Sequence, residues 1–334
     1  MRRFINCSLG AAALLLATVP PLTAAEGPLR AVATIPAAHS ILSAVLGEAG
    51  EAHLLIRGAA SPHTYSLKPS DAQALADADL VVWVGPGLET FLDGRMETLA
   101  PNARIITWES LPGIDLHEVR DGGEWDAHDH DHGSGHDHSH DHDHDHDHDH
   151  DHAKHDDHGE AGHDPHLWLD PGNATLLASA LAEALADSAP DRAADFAAAA
   201  QAFEARLAGL DAALREQLAP LKGQRFLVFH DAYQYFERHY GLAGAGSVTI
   251  SPEVSPGAAR VREIRSRIVD GGVVCVFAEP QFRPNLVTTL VDGTAASAAV
   301  LDPVGGNLEP GPDLYPQLLE GLAGSMTACL APRN

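Results

Sequence analysis

An α/β protein of two lobes joined by one long helix is predicted by three features of the sequence. Short, continuously apolar runs alternate with stretches of helical periodicity, the pattern of βαβ units and a mostly parallel sheet. One periodic stretch, 192–218, is long enough to reach from one lobe to another. An acidic, histidine-rich tract interrupts the alternation once and has nothing with which to build a core.

In chain order, 29–35 and 52–56 are strand-length apolar runs. Between them 40–46 has helical spacing, with Ile41, Leu42 and Val45 on one face. Ser70 and Asp71 open a second helix that runs to Asp77. Residues 79–85 (DLVVWVG) are apolar without alternation, as a strand covered on both faces should be. Residues 104–108 make a fourth strand. Gly85-Pro86-Gly87 does not continue into a dinucleotide fingerprint, because Thr90 stands where the third glycine belongs. Asp170-Pro171 and Asn173 start a helix through Leu185, and Pro190-Asp191 opens the long one. Its apolar face is Phe196, Phe203, Leu207, Leu210, Leu214 and Leu218, and at 1.5 Å per residue it is about 40 Å long. Beyond Pro220, strands are expected at 226–230, 247–250, 273–278 and 300–302, with helices at 232–240, 257–268, 283–291 and 314–329. The division is an amino-terminal lobe at 26–189, a linking helix at 190–219 and a carboxyl-terminal lobe at 220–334.

The 334 residues are 45% hydrophobic, enough for a globular core, and carry a formal charge of −26. An excess of negative charge repels nucleic acid and anionic membrane surfaces, so neither is expected as a partner. Met1-Arg2-Arg3, the apolar run 9–19 and Thr23-Ala24-Ala25 have the layout of a secretory signal peptide, 1–25. Cys7 would leave with it, and Cys275 and Cys329 would remain in an oxidising compartment. A Cys275–Cys329 disulfide is the expectation, the alternative being two separate buried thiols.

Residues 117–164 hold 17 Asp and Glu against two Lys and Arg, so much of the negative charge is local. Within 117–162, expected to form a flexible loop, 128–158 contain fourteen histidines and eleven aspartates, mostly in strict alternation. These are His128, His130, His132, His136, His138, His140, His142, His144, His146, His148, His150, His152, His155 and His158. Imidazole suits zinc, copper and nickel, so multiple weak metal contacts are expected there.

Outside the tract, three histidines stand out. His63 follows the strand at 52–56 in Ser61-Pro62-His63-Thr64-Tyr65, His166 lies in HDPHLWLDP at 163–171, and His230 ends the strand at 226–230. Ligands of open α/β sheets gather at the carboxyl ends of strands and in clefts between lobes. Three imidazoles meeting in such a cleft would form a neutral, borderline-soft site suited to Zn²⁺, with a fourth position for water or a carboxylate. A general secreted metal buffer is one alternative; a secreted zinc hydrolase is another, since three His and a water is also a catalytic arrangement, but the chain has no His-Glu-x-x-His helix and no Gly-x-Ser-x-Gly elbow.

The segments 58–71 and 78–85, then 163–171, 229–233 (FHDAY), 277–282 (FAEPQF) and 301–305 (LDPVG), resemble in order the motifs of periplasmic zinc-binding proteins of the ZnuA type. The resemblance implies two pseudo-symmetric α/β lobes, a rigid linking helix, an acidic His-rich loop and zinc held in the cleft. It implies a non-enzymatic, monomeric periplasmic protein that hands zinc to the inner-membrane permease of an ABC importer. His63, His166 and His230 fall on the ligand positions, and Asp302 on a carboxylate position that serves as fourth ligand or stands behind the ligands. Manganese-binding relatives have a carboxylate where this chain has His230, and imidazole there favours zinc. Two departures are visible: Pro62 replaces the Glu that some members carry before the first ligand, and Ser247 stands near a histidine used for a second site. His39, His53, His117 and His239 match no ligand position and are read as surface or structural, and His163 as a neighbour of the site.

Overall fold

A computed structural model describes residues 27–120, 162–249, 252, 254–282 and 285–332. The expected signal peptide and the fourteen tract histidines at 128–158 lie outside the described residues.

Two parallel sheets organise the chain. Strands β1 (Leu29–Ala33), β2 (Gly50–Leu54), β3 (Leu80–Trp83) and β4 (Arg104–Thr107) form the first, in the order β2-β1-β3-β4. Val32 of β1 lies opposite His53 on one side and Val81 on the other. All four residues of β3 are buried, which accounts for its unbroken apolar run. The second sheet contains β5 (Phe226–Leu227), β6 (Cys275–Ala278) and β7 (Ser297–Val300), in that spatial order. On the outer side of β5, Val228 bridges Ser247 in parallel. Val228 N–H donates to the Gly246 carbonyl at 3.1 Å, and the N–H groups of Val248 and Thr249 donate to Val228 and Phe229, each at 2.9 Å. Residues 247–249 therefore stand beside β5 as β2 stands beside β1, and the two halves repeat one topology.

Three expected strands differ in detail. The run at 247–250 is a bridged extended segment rather than a strand, with position 250 outside the described residues. The strand at 226–230 contracts to two residues. The last strand lies at Ser297–Val300, before the expected 300–302, because its small residues on a half-exposed edge make no apolar run. A one-turn helix, Met96–Leu99, is too short to leave a periodicity.

The helices, counting that turn as α3, are α1 (Pro36–Leu46), α2 (Pro69–Ala76), α4 (Pro171–Ser188), α5 (Ala193–Leu218), α6 (Gln234–Tyr240), α7 (Ala258–Asp270), α8 (Asn285–Val291) and α9 (Leu314–Leu330). Asp170 caps α4: its side chain accepts the Gly172 N–H at 2.6 Å, with Pro171 at the first position, where its missing N–H costs nothing. Helix α5 buries Phe196, Ala200, Phe203, Leu207, Leu214 and Leu218, while Leu210 is only partly covered. It packs on α1 and α4 and also on α6 and α9. Among the described residues no helix is long and apolar enough to cross a membrane.

One apolar cluster fills the amino-terminal half and continues through Phe226 and Phe277 into α9. A second, around Leu227, Val248, Ile264, Val276 and Leu290, lies within the carboxyl-terminal half. Polar bonds cross between the halves as well. The Tyr315 N–H donates to Ser40 Oγ at 2.9 Å, its hydroxyl to the Trp168 carbonyl at 2.8 Å, and Trp168 Nε1–H to the Pro303 carbonyl at 2.7 Å. Cys275 and Cys329 form a disulfide, Cα–Cα 6.0 Å, that ties α9 to β6. Residues 117–120, expected to begin the His-rich loop, instead belong to the fold. Glu118 bridges His163 in antiparallel fashion, and His117 stacks on Tyr235 with ring centroids 4.5 Å apart.

Candidate metal centre

The site is assembled at the carboxyl ends of strands from both sheets. Past β2 the chain stays hydrogen-bonded to the sheet, Leu55 N–H to Ala33 and Ile56 N–H to Thr34, then turns at Pro62–Thr64 to present His63. The turn is anchored from behind: Asp71 Oδ2 accepts the Tyr65 hydroxyl at 2.8 Å and the Lys68 N–H at 2.9 Å. Burial, then that bond, pushes the Tyr65 hydroxyl up to about 12. On the far side of the cleft, Gly306 passes so close to the Gly58 carbonyl that an added Cβ would stand 2.5 Å from its oxygen. Only glycine fits that approach.

His166 precedes the turn Leu167–Leu169 and is 4% exposed. Asp164 Oδ1 accepts its backbone N–H at 3.0 Å and lies 2.7 Å from its Nδ1. Asp164 is itself fixed, its N–H donating to the His117 carbonyl at 2.8 Å and its carbonyl accepting the Tyr235 hydroxyl at 2.9 Å. His230, 5% exposed, follows β5, and the buried Glu279 follows the neighbouring β6. The Glu279 carboxylate reaches His230 Nδ1 at 2.8–2.9 Å. Two strands that are adjacent in the sheet but far apart in sequence thus deliver a ligand and its carboxylate side by side.

The three rings converge. His63 Nε2 lies 3.2 Å from His166 Nε2, and His230 Nε2 lies 3.3 Å from it. All three ligand atoms fall within 4.8 Å of one another, and they form the one such group among the described residues. A carboxylate on Nδ1 keeps the proton there, so the Nε2 lone pairs of His166 and His230 face inward. Lone pairs at this separation repel unless a cation lies between them. Around a tetrahedral zinc with Zn–N of about 2.0–2.1 Å, neighbouring nitrogens stand about 3.3–3.4 Å apart, and the observed spacings fit. The lining residues leave room for about one water-sized particle.

Electrostatics follow from burial and pairing. Burial, and then the neighbouring His230, holds His166 well below the ordinary imidazole range. Burial acts the same way on His230, but the charge and hydrogen bond of Glu279 outweigh it and raise this ring. Burial pushes Asp164 up to about 6 against the His166 N–H bond.

Asp302 is not in the three-His group. Its Oδ1 accepts Gln281 Nε2–H at 2.7 Å and the backbone N–H groups of Val304 and Gly305 at 3.2 and 3.1 Å. The remaining histidines stand elsewhere. His39 Nε2 lies 3.1 Å from the Ala52 carbonyl, His53 is on β2, His163 is in the bridge to Glu118, and His239 lies between Asp170 and Asp211. Sequence reasoning did not single out Asp164, Glu279 or Gln281 as parts of the site. Asp164 has a local signal, a carboxylate two residues before a ligand histidine. Glu279 has none, because its partner is 49 residues away.

The chain matches the family model described as "ZnuA: Zinc-uptake complex component A periplasmic" over residues 31–329. It is 46% identical over 306 residues to the high-affinity zinc uptake system protein ZnuA of Brucella suis, covering 90% of this chain and 91% of that one. It is 40% identical over 321 residues to the protein of that description from Paracoccus denitrificans, covering 96% of each. A solved structure described as "Crystal structure of ZnuA" superposes with a TM-score of 0.73 at 23% identity, over 91% of this chain and 100% of that chain.

Proposed function

Because the chain belongs to the ZnuA family of periplasmic zinc-uptake components, we propose that it captures Zn²⁺ between its two halves and delivers it to the permease of an ABC importer. The observation that carries this reading is the convergence of His63, His166 and His230, two of them backed by buried carboxylates. Three neutral nitrogen donors form a borderline-soft set that suits zinc better than hard cations such as manganese or magnesium. No reaction is assigned. Asp164 and Glu279 are both spent on orienting imidazoles, which leaves neither as a base for a metal-bound water.

In this reading 1–25 direct export, and 26–189 and 220–334 are the two lobes. The stretch 190–219, containing α5, is the rigid link whose packing on helices of both halves limits how far they can move apart. The histidines of 128–158 are a low-affinity zinc collector, because imidazole suits zinc and the alternating aspartates attract divalent cations. The protein acts as a monomer.

Zinc titration calorimetry on the chain lacking 128–158 tests the assignment. One tight equivalent is expected, weakened by at least about a hundredfold in each of His63→Ala, His166→Ala and His230→Ala, because each leaves the ion under-coordinated. Unchanged affinity in all three variants would overturn it.

A further inference from the structure

Three histidines leave one side of a tetrahedral ion open, and Asp302, the carboxylate expected there, is not among the residues that line the site. The three hydrogen bonds to Asp302 all converge on Oδ1, from Gln281 Nε2 and from the N–H groups of Val304 and Gly305. Beside the three histidines, the polar side chains that line the site are Ser61, Glu279 and Gln281, and Glu279 already holds His230. The Gln281 Oε1 is buried without a hydrogen-bond partner among the described residues; so is the Ser61 Oγ, but a hydroxyl keeps its proton whereas an amide oxygen offers only lone pairs. A buried amide oxygen left without a partner costs about 1–3 kcal/mol, so a structure that keeps one has a use for it.

The orientation of that amide is not arbitrary. Asp302 can only accept, so the Gln281 NH₂ must face it and Oε1 must face the other way. This repeats the plan of the two buried histidines. His166 is held by Asp164, His230 by Glu279, and Gln281 by Asp302. In each pair a carboxylate takes the N–H of a donor group and leaves its lone-pair atom available.

Resting on the three-histidine zinc site proposed above, we infer that Gln281 Oε1 is the fourth donor to the ion and that Asp302 is its positioning residue. The set of donors is then wholly neutral, three nitrogens and one amide oxygen. The negative charge that balances the cation is carried one bond back, by Asp164, Glu279 and Asp302. A neutral inner set releases an ion more readily than a carboxylate would, which suits a protein that must hand its cargo on.

The test compares Gln281→Met, Gln281→Asn, Asp302→Asn and Asp302→Ala, using zinc competition titrations and the visible absorption of the Co²⁺-substituted protein. Gln281→Met keeps the volume and removes the oxygen, and should weaken zinc about 10–100-fold and shift the cobalt bands. Gln281→Asn keeps the amide but withdraws it by one methylene, and should do the same. Asp302→Asn preserves an Oδ1 for all three donors but removes balancing charge, and should weaken zinc less than Gln281→Met while keeping the wild-type cobalt spectrum. Asp302→Ala frees the amide and should behave like Gln281→Met. A shifted cobalt spectrum in a variant that still binds one equivalent separates lost coordination from misfolding. The inference is overturned if Asp302→Asn is the most damaging change with Gln281→Met near wild type, since Asp302 would then be the ligand. It is equally overturned if neither Gln281 variant alters affinity or spectrum while the His→Ala variants do. If the His→Ala variants also retain affinity, the zinc site itself has been misassigned.

Discussion

Arg120 and Asp231 form a two-pronged ion pair that ties the chain entering the His-rich tract to the residue following His230. Arg120 Nε lies 3.1 and 2.9 Å from the two carboxylate oxygens, and Nη2 also contacts Oδ1. The same guanidinium donates through Nη1 to Glu237 Oε2 at 2.7 Å. Arg120 and Asp231 are each less than one-fifth exposed, and Glu237 is nearly fully buried. Arg120→Ala would leave two carboxylates facing each other without a counterion. Breaking a buried pair from one side costs about 3–5 kcal/mol, and this partly exposed one should lose about 3 kcal/mol in urea denaturation. A loss within about 0.5 kcal/mol, the range of ordinary surface changes, would show that the pair carries no stability.

The carboxylates behind His166 and His230, the ligands proposed above, should matter without touching the ion. Asp164→Asn and Glu279→Gln keep the shape but weaken the hold on the imidazole Nδ1–H. Each should reduce zinc affinity about 10–100-fold in competition titrations. Affinities indistinguishable from wild type would mean that packing alone orients the rings.

His239 gives the fold a pH-dependent component. Its Nδ1 lies 3.2 Å from Asp170 and its Nε2 2.7 Å from Asp211, joining α6 to the start of α4 and the middle of α5. Arg215 also reaches it, with Nη1 donating to the His239 carbonyl at 3.0 Å and Nη2 lying 2.6 Å from the ring Nε2, a like charge that the two carboxylates oppose. Burial opposes charge on all three titrating groups. Pairing outweighs it, raising His239 and lowering Asp170 and Asp211. A raised histidine contributes fully below about pH 6.5 and loses its contribution as pH climbs through its folded pKa. The two lowered aspartates contribute fully above about pH 4 and lose it as pH falls further. Stability from this group should therefore be greatest between about pH 4 and 6.5 and decline toward pH 8. Urea denaturation of His239→Gln at pH 6 and pH 8 checks it: the variant should lose more at pH 6, and an equal loss at both would refute the assignment.

Reduction of Cys275–Cys329 removes a closure over 54 residues. In the chain-entropy account that is about 4 kcal/mol of stability. The thiol form and a Cys275→Ala/Cys329→Ala protein should both melt markedly lower than the oxidised protein while still binding one zinc, since neither cysteine lines the site. Loss of zinc binding at temperatures where both remain folded would place α9 in control of the cleft.

The sequence by itself determined the α/β class, most elements and the three histidines. Those are properties of local pattern: β3 is unbroken apolar sequence because both its faces are covered, and α5 shows its seam because the helical repeat is regular. Residues 297–300 were missed, because a half-exposed strand of small residues leaves no such pattern, and 247–249 pair through a bridge where a full strand was expected. Tertiary structure alone decided the partners that are distant in sequence. Glu279 meets His230 because β5 and β6 are neighbours in the sheet, and Asp302 meets Gln281 because β7 is the next strand over. Arg120 meets Asp231 across 111 positions. Hydrogen bonds reach only about 3 Å, whereas sequence pattern reports only neighbours along the chain. His63, His166 and His230 are therefore legible in the sequence, whereas Glu279, Gln281 and Asp302 become visible around them only when the strands are laid side by side.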